Sequence, residues 1–205
     1  LALSGAAFGR TWYIKPDGTG DAPTIQAGID VASPGDIILV AAGIYTTTSI
    51  VNINGSPTPV CAFIDKNVKL TSESGSSTTT IGSGSAKIAV YFKDVDASAE
   101  LSGFRLQTSF SGYYCVDLRS QRFLQDPPLP AFFPRGIRCD NSSPLINDND
   151  VQLNDVGIEL IASPATVSNN TVSSCLMGIA AYNSNAEIVD NVVHNAGELI
   201  VCEGA

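Results

Sequence analysis

The sequence predicts an all-β fold, a single-stranded parallel β-helix, and three observations carry that prediction. Near-identical stretches recur every 21 residues, opening at Gly136-Ile137, Gly157-Ile158 and Gly178-Ile179. Each runs to an apolar residue (Ile146, Val167, Ile188), then to an asparagine (Asn149, Asn170, Asn191) and a valine (Val151, Val172, Val193). A fixed period in the twenties is the mark of a solenoid. Such a repeat is too short for a helix pair, which needs about 34 residues. Its Ile and Val residues tend to alternate with polar ones between Gly, Asn, Ser and Pro, which is the pattern of short strands closed by turns. Three strands and three turns make one coil.

Stacked coils bring equivalent residues over one another at about 4.8 Å. Ile137, Ile158, Ile179 and Ile200 then form one inward aliphatic column, and Cys139, Leu160, Ala181 and Cys202 a second. Asn149, Asn170 and Asn191 form a third column, at a corner. A corner asparagine bonds its neighbours above and below and the turn backbone, so a structural asparagine ladder is the expectation.

The elements before the repeats follow in order. Residues 1–10 open on Leu-Ala-Leu-Ser-Gly-Ala-Ala, the pattern of the tail of a secretory signal, and 11–205 read as one β-helix domain. Trp12-Tyr13-Ile14 is a strand, closed by the turn Pro16-Asp17-Gly18. Asp21 or Thr24 caps a helix running from about Thr24 to Ala32, with Pro23 at its start. Ile25, Ile29 and Ala32 give that helix one apolar face, suited to covering the open end of a solenoid. Pro34-Gly35-Asp36 turns into the strand Ile37 to Val40. Further strands fall near Ile50 to Ile53, Val60 to Ile64, Val68 to Leu70, Ile88 to Phe92 and Leu101 to Leu106. A last coil starts at Leu199 and the sequence stops at Ala205, which reads as a C-terminal truncation; end-to-end self-association through the uncapped coil is the alternative.

These segments also carry a resemblance. Asp17-Gly18-Thr19-Gly20-Asp21, Thr24-Ile25-Gln26-Ala27-Gly28-Ile29-Asp30, Pro34-Gly35-Asp36 and Ala42-Gly43-Ile44-Tyr45 resemble the opening of the pectin-lyase-like right-handed parallel β-helix superfamily. Asn67 to Gly75 and Leu101 to Leu106 are similar to it as well. The resemblance implies a right-handed winding. It does not imply one activity, because that superfamily spans polysaccharide lyases, hydrolases, esterases, adhesins and tailspikes.

Composition narrows the partners. The net charge is −9 and only 15% of residues are charged. That argues against nucleic acid and anionic membrane surfaces, which call for basic patches. No segment approaches the ~20 apolar residues that span a bilayer. Secretion is the expected localisation. Cys61, Cys115, Cys139, Cys175 and Cys202 lack any zinc spacing, and core packing accounts for Cys139 and Cys202. A Cys115–Cys139 disulfide remains open.

The strongest departure from the period is the proline-rich stretch 118–135. Insertions in solenoids bulge from one face, often the binding face. Phe123, Phe132 and Phe133 beside Arg119, Arg122 and Arg135 suit stacking on a sugar ring and bonding its hydroxyls. The alternative is a loop folded inertly on the solenoid flank. Asp148 and Asp190, two repeats apart with Asn169 between, are the best carboxylates for calcium, the one cofactor the sequence suggests. The competing account is conformational, because Asp and Asn tolerate left-handed turns. His194 follows an inward valine and points outward with no identifiable partner. No catalytic motif is present to match. The expected function is therefore binding of a polysaccharide or surface glycan. A lyase or hydrolase acting along the flank near Asp148, Asp190 and the 118–135 loop is the second reading, and a structural subunit assembling end to end is the third.

Overall fold

A computed structural model of the chain describes residues 9–82, 85–108 and 133–204. Among the described residues are twenty strands and one helix, arranged as three sheets whose last strands recur every 21 residues. The first sheet orders β1 (Thr11–Ile14), β2 (Ile37–Val40), β6 (Lys69–Ser72), β9 (Glu100–Ser102), β12 (Leu145–Asn147), β15 (Thr166–Ser168) and β18 (Glu187–Val189). The second orders β3 (Gly43–Tyr45), β7 (Thr79–Gly82), β10 (Arg105–Gln107), β13 (Asp150–Gln152), β16 (Thr171–Ser173) and β19 (Val192–His194). The third orders β4 (Ser49–Ile53), β5 (Ser56–Ile64), β8 (Ile88–Lys93), β11 (Arg135–Asp140), β14 (Val156–Ile161), β17 (Met177–Tyr182) and β20 (Glu198–Glu203). All pairings are parallel except β4 with β5. This regular stacking is compatible with a β-helix.

The repeats stack in the expected register. Ile137 lies opposite Ile158, Ile158 opposite Ile179, and Ile179 opposite Ile200. Cys139, Leu160, Ala181 and Cys202 pair in the same way. The first three isoleucines are fully buried, whereas Ile200, on the outermost described strand of its sheet, is exposed. The three glycines Gly136, Gly157 and Gly178 sit where backbone crowds in: a Cβ on Gly157 would stand 2.5 Å from the Gly178 carbonyl oxygen.

The corners between sheets repeat as faithfully as the strands. Asp148, Asn169 and Asp190 take φ of 56°, 55° and 53° at the corner between the first and second sheets. Asn141, Ala162 and Asn183 take φ of 49°, 47° and 49° between the third and first. Next to the first of these corners runs the asparagine ladder. The Asn149 backbone N–H and Nδ2 both donate to Asn170 Oδ1, and the same groups of Asn170 donate to Asn191 Oδ1. At the other corner the structure adds a ladder of serines: Ser142 N–H donates to Ser163 Oγ at 3.0 Å and Ser163 N–H to Ser184 Oγ at 2.9 Å. At the third corner Asn154 Nδ2 donates to the Gln152 carbonyl, and one repeat later the Cys175 thiol donates to Ser173 in its place.

Helix α1 (Ile25–Val31) matches the expected span within a residue at each end. Thr24 is its N-cap, with Oγ1 accepting from Ala27 N–H at 3.1 Å. Ile25, Gly28 and Ile29 are buried against the early strands, and Gln26 bonds both the N–H and the carbonyl of Phe63. Three details depart from expectation. Leu101 to Leu106 is two strands, β9 and β10, because Gly103 turns the chain at φ 80°. Strands β3 and β7 add to the set. The β4–β5 hairpin is antiparallel, closed by Asn54-Gly55 with φ of 52° and 84°, the pair that suits a two-residue hairpin turn.

Candidate functional site

The outward face of the third sheet is unlike the outside of an ordinary half-solvated sheet. Inward residues such as Ala62, Val90, Phe92, Ile137, Cys139, Ile158 and Leu160 belong to the main core. Their outward neighbours form two further apolar clusters. One holds Ile53, Val60, Ile88 and Tyr91, with Phe63 packed against it. The other holds Val156, Met177, Ala180 and Tyr182, with Phe133, Ile161 and Val201 packed against it. Between the two lies a group of ionised side chains.

Arg138 is the centre of that group. Its Nε and Nη2 donate to the two oxygens of Asp140 at 2.9 and 3.0 Å. Its Nη1 donates to Glu159 Oε2 at 3.0 Å, one repeat away. Arg135 donates to the same Glu159 through Nε and Nη2, and its Nη1 donates to the Phe133 carbonyl at 2.7 Å. Tyr91 donates its hydroxyl to Asp140 at 2.8 Å. Two guanidinium groups face two carboxylates, so the group is neutral overall. Burial alone would lower the Arg138 pKa, but Glu159 and Asp140 hold it above the usual value. Burial first, and then Asp140, raise the Tyr91 pKa, so the phenol stays a neutral donor. Such a set is tolerable only because its members are mutually paired.

Solvent reaches one edge of this group. The Asp140 side chain is 20% exposed, whereas those of Arg135 and Glu159 are fully buried. Lys93 stands opposite Asp140 in register and is exposed. Phe63, opposite Tyr91, is partly buried and stacks on it with ring centroids 5.3 Å apart and planes at 29°. A flat ring next to a carboxylate, a phenol and an ammonium is a surface with one apolar face and directed polar groups, the composition by which small polar ligands are oriented.

The residues singled out in the sequence fall in different places. Arg119, Arg122, Phe123, Phe132 and Cys115 lie outside the described residues. Phe133 is partly buried against Val156 and its neighbours. Arg135, the first residue of β11, is fully buried and held by Glu159. Asp148 and Asp190 stack at the corner between the first and second sheets, away from Arg135 on the third, so the structure does not join them with it into one site. Two repeats separate the two aspartates by about 9.6 Å, with Asn169 between them. Asp148 accepts from Asn147 Nδ2. Among the described residues no group of three or more His, Cys, Asp or Glu side chains is placed to hold a metal. His194 is exposed on β19. Cys61, Cys139 and Cys175 are buried free thiols, and Cys202 is an exposed one.

The Arg138–Asp140–Glu159 group was within reach of the sequence. Arg138 and Glu159 occupy one position of the 21-residue period, and opposite charges there predict a contact across adjacent strands. No family model, curated protein or solved structure matches the chain. The class it belongs to is therefore set by its own geometry, as an all-β protein of stacked parallel sheets. Among the described residues no helix is long and apolar enough to cross a membrane.

Proposed function

We propose that the chain is a right-handed parallel β-helix of the pectin-lyase-like kind, secreted, and that it binds a polysaccharide or surface glycan along the outer face of the third sheet. The observation that carries the reading is the Phe63–Tyr91 ring stack beside the partly accessible Asp140 and the exposed Lys93. A sugar presents an apolar C–H face ringed by hydroxyls. The first suits the Phe63 ring and the second suit carboxylate and ammonium partners.

Hydrolysis is the less favoured alternative on this face. Asp140 and Glu159 both bond Arg138, and a carboxylate pair is what glycoside cleavage requires. Glu159 is fully buried, however, so it cannot reach a sugar oxygen. The reading is tested by retention on immobilised polysaccharides, comparing the wild type with Phe63→Ala after circular dichroism has confirmed folding. Retention should fall about tenfold on loss of the ring. A folded variant that is retained like the wild type would overturn the assignment of this face, and release of reducing ends would favour the enzyme.

A further inference from the structure

We infer that the ligand of this face is a neutral glycan and that polyuronates are excluded from it. The inference rests on the glycan-binding reading above and names its ligand class. A uronate carboxylate is held most strongly by a cationic donor with accessible N–H groups. The two arginines of the face are buried, and each of their guanidinium nitrogens already donates a hydrogen bond. Arg138 commits Nε, Nη1 and Nη2 to Asp140 and Glu159, and Arg135 commits Nε, Nη1 and Nη2 to Glu159 and the Phe133 carbonyl. Drawing either guanidinium toward a ligand would leave Glu159 buried without its partner, which is strongly unfavourable.

The accessible part of the group is of the wrong sign for an acidic sugar. Asp140 is the member that solvent reaches, and a uronate placed on Phe63 would meet that carboxylate. Lys93, in register with Asp140, is a single exposed ammonium beside that carboxylate, so a uronate meets both signs at this edge rather than a basic patch. The chain as a whole carries −9, which opposes approach of a polyanion at low ionic strength. Calcium bridging would relieve the repulsion, but no cluster of three or more metal-binding side chains exists among the described residues. A neutral sugar meets none of these obstacles. Its hydroxyls donate to Asp140, and its ring face covers Phe63.

Affinity electrophoresis of the intact chain separates the outcomes. The gels contain β-glucan, galactomannan, polygalacturonate or alginate, at low and at physiological salt, with and without calcium. A neutral polymer should retard the chain at least about tenfold more than either polyuronate, and added salt should leave that retardation unchanged. Equal or stronger retardation by a polyuronate, or binding that fades with salt, would overturn the inference while leaving glycan binding intact. Failure of all four polymers would overturn both. Asp140→Asn supplies a second arm, read on protein shown to be folded by circular dichroism. It removes the accessible negative charge, and it should introduce salt-sensitive retention on polygalacturonate. A folded variant with no such gain would show that charge balance is not what excludes uronates.

Discussion

Asn149 and Asn170 stand one above the other, and two hydrogen bonds of 3.0 Å run from the backbone N–H and Nδ2 of the first to Oδ1 of the second. Each amide thus closes its own turn and the turn beneath it. Asn170 also donates to the carbonyls of Ile146 and Ser168. Asn170→Ala therefore strands the buried Asn149 N–H and two carbonyls at once. The expected loss is about 3 kcal/mol, since each buried unsatisfied group costs about 1–3 kcal/mol. Asn191→Ala removes bonds nearer the surface and should cost about 1 kcal/mol. Urea midpoints of the two variants check the order, and equal losses would contradict it.

The charged group on the third sheet should be costly to break and cheap to replace. Glu159→Gln leaves two buried guanidiniums short of a partner and should destabilise by about 3–5 kcal/mol. Arg135→Met combined with Glu159→Gln removes one charge of each sign and should recover at least half of that loss. A double mutant no better than the single would show that the pairing does not set the energetics. Equilibrium unfolding of the single and double variants measures it.

Asp36 fastens the first strand. It accepts from the Ser33 and Arg10 backbone N–H groups and from Trp12 Nε1, at 2.9, 2.7 and 3.0 Å, and these bonds lower its pKa, Ser33 foremost. A carboxylate whose folded pKa is lowered stabilises the fold above its unfolded pKa of 3.8 and loses that contribution as pH falls through the lower folded value. Asp36→Asn should cost about 2 kcal/mol at neutral pH. The gap between the two proteins should close only at pH values below 3.8. A gap independent of pH would refute the assignment.

Thiol chemistry reports on the columns. Burial pushes Cys61 and Cys175 up to about 11 and raises Cys139 as well. Iodoacetamide at mildly alkaline pH should modify the exposed Cys202 and spare these three until the chain unfolds, as peptide mapping would show. The same shifts have a stability consequence. An unfolded thiol ionises near 9.0 while these stay protonated, so the unfolded state releases protons first and stability declines as pH rises above that value.

Much of this architecture is written in the period. Residues such as Ile158 and Asn170 recur with unchanged chemistry, so register and ladder were legible before any coordinates. Thr24 marked the helix start for a local reason, an oxygen able to cap. The serine ladder was harder to see, because Ser142, Ser163 and Ser184 also read as ordinary turn residues beside Asn or Pro. Strand β7, Thr79-Thr80-Ile81-Gly82, holds one large apolar residue, and β3, Gly43-Ile44-Tyr45, is too short for a pattern to show. The hairpin was missed although Asn54-Gly55 announces it. Apart from the Arg138–Glu159 pair, the site was least legible. Arg135 and Glu159 are 24 residues apart, off the period, and Phe63 meets Tyr91 across strands of two non-identical coils. Arg135 looked like a loop cation because neighbouring prolines hid the fact that β11 starts with it.

The buried charged centre of the site rests on registration of successive 21-residue turns, which sets Arg138 opposite Glu159. The most direct check is a map of amide-to-amide nuclear Overhauser effects in deuterated protein. The account predicts contacts from Ile158 to both Ile137 and Ile179, and from Glu159 to Arg138, with no other offset between those strands. Contacts displaced by even one residue would turn Arg138 and Glu159 inward and remove the proposed binding face.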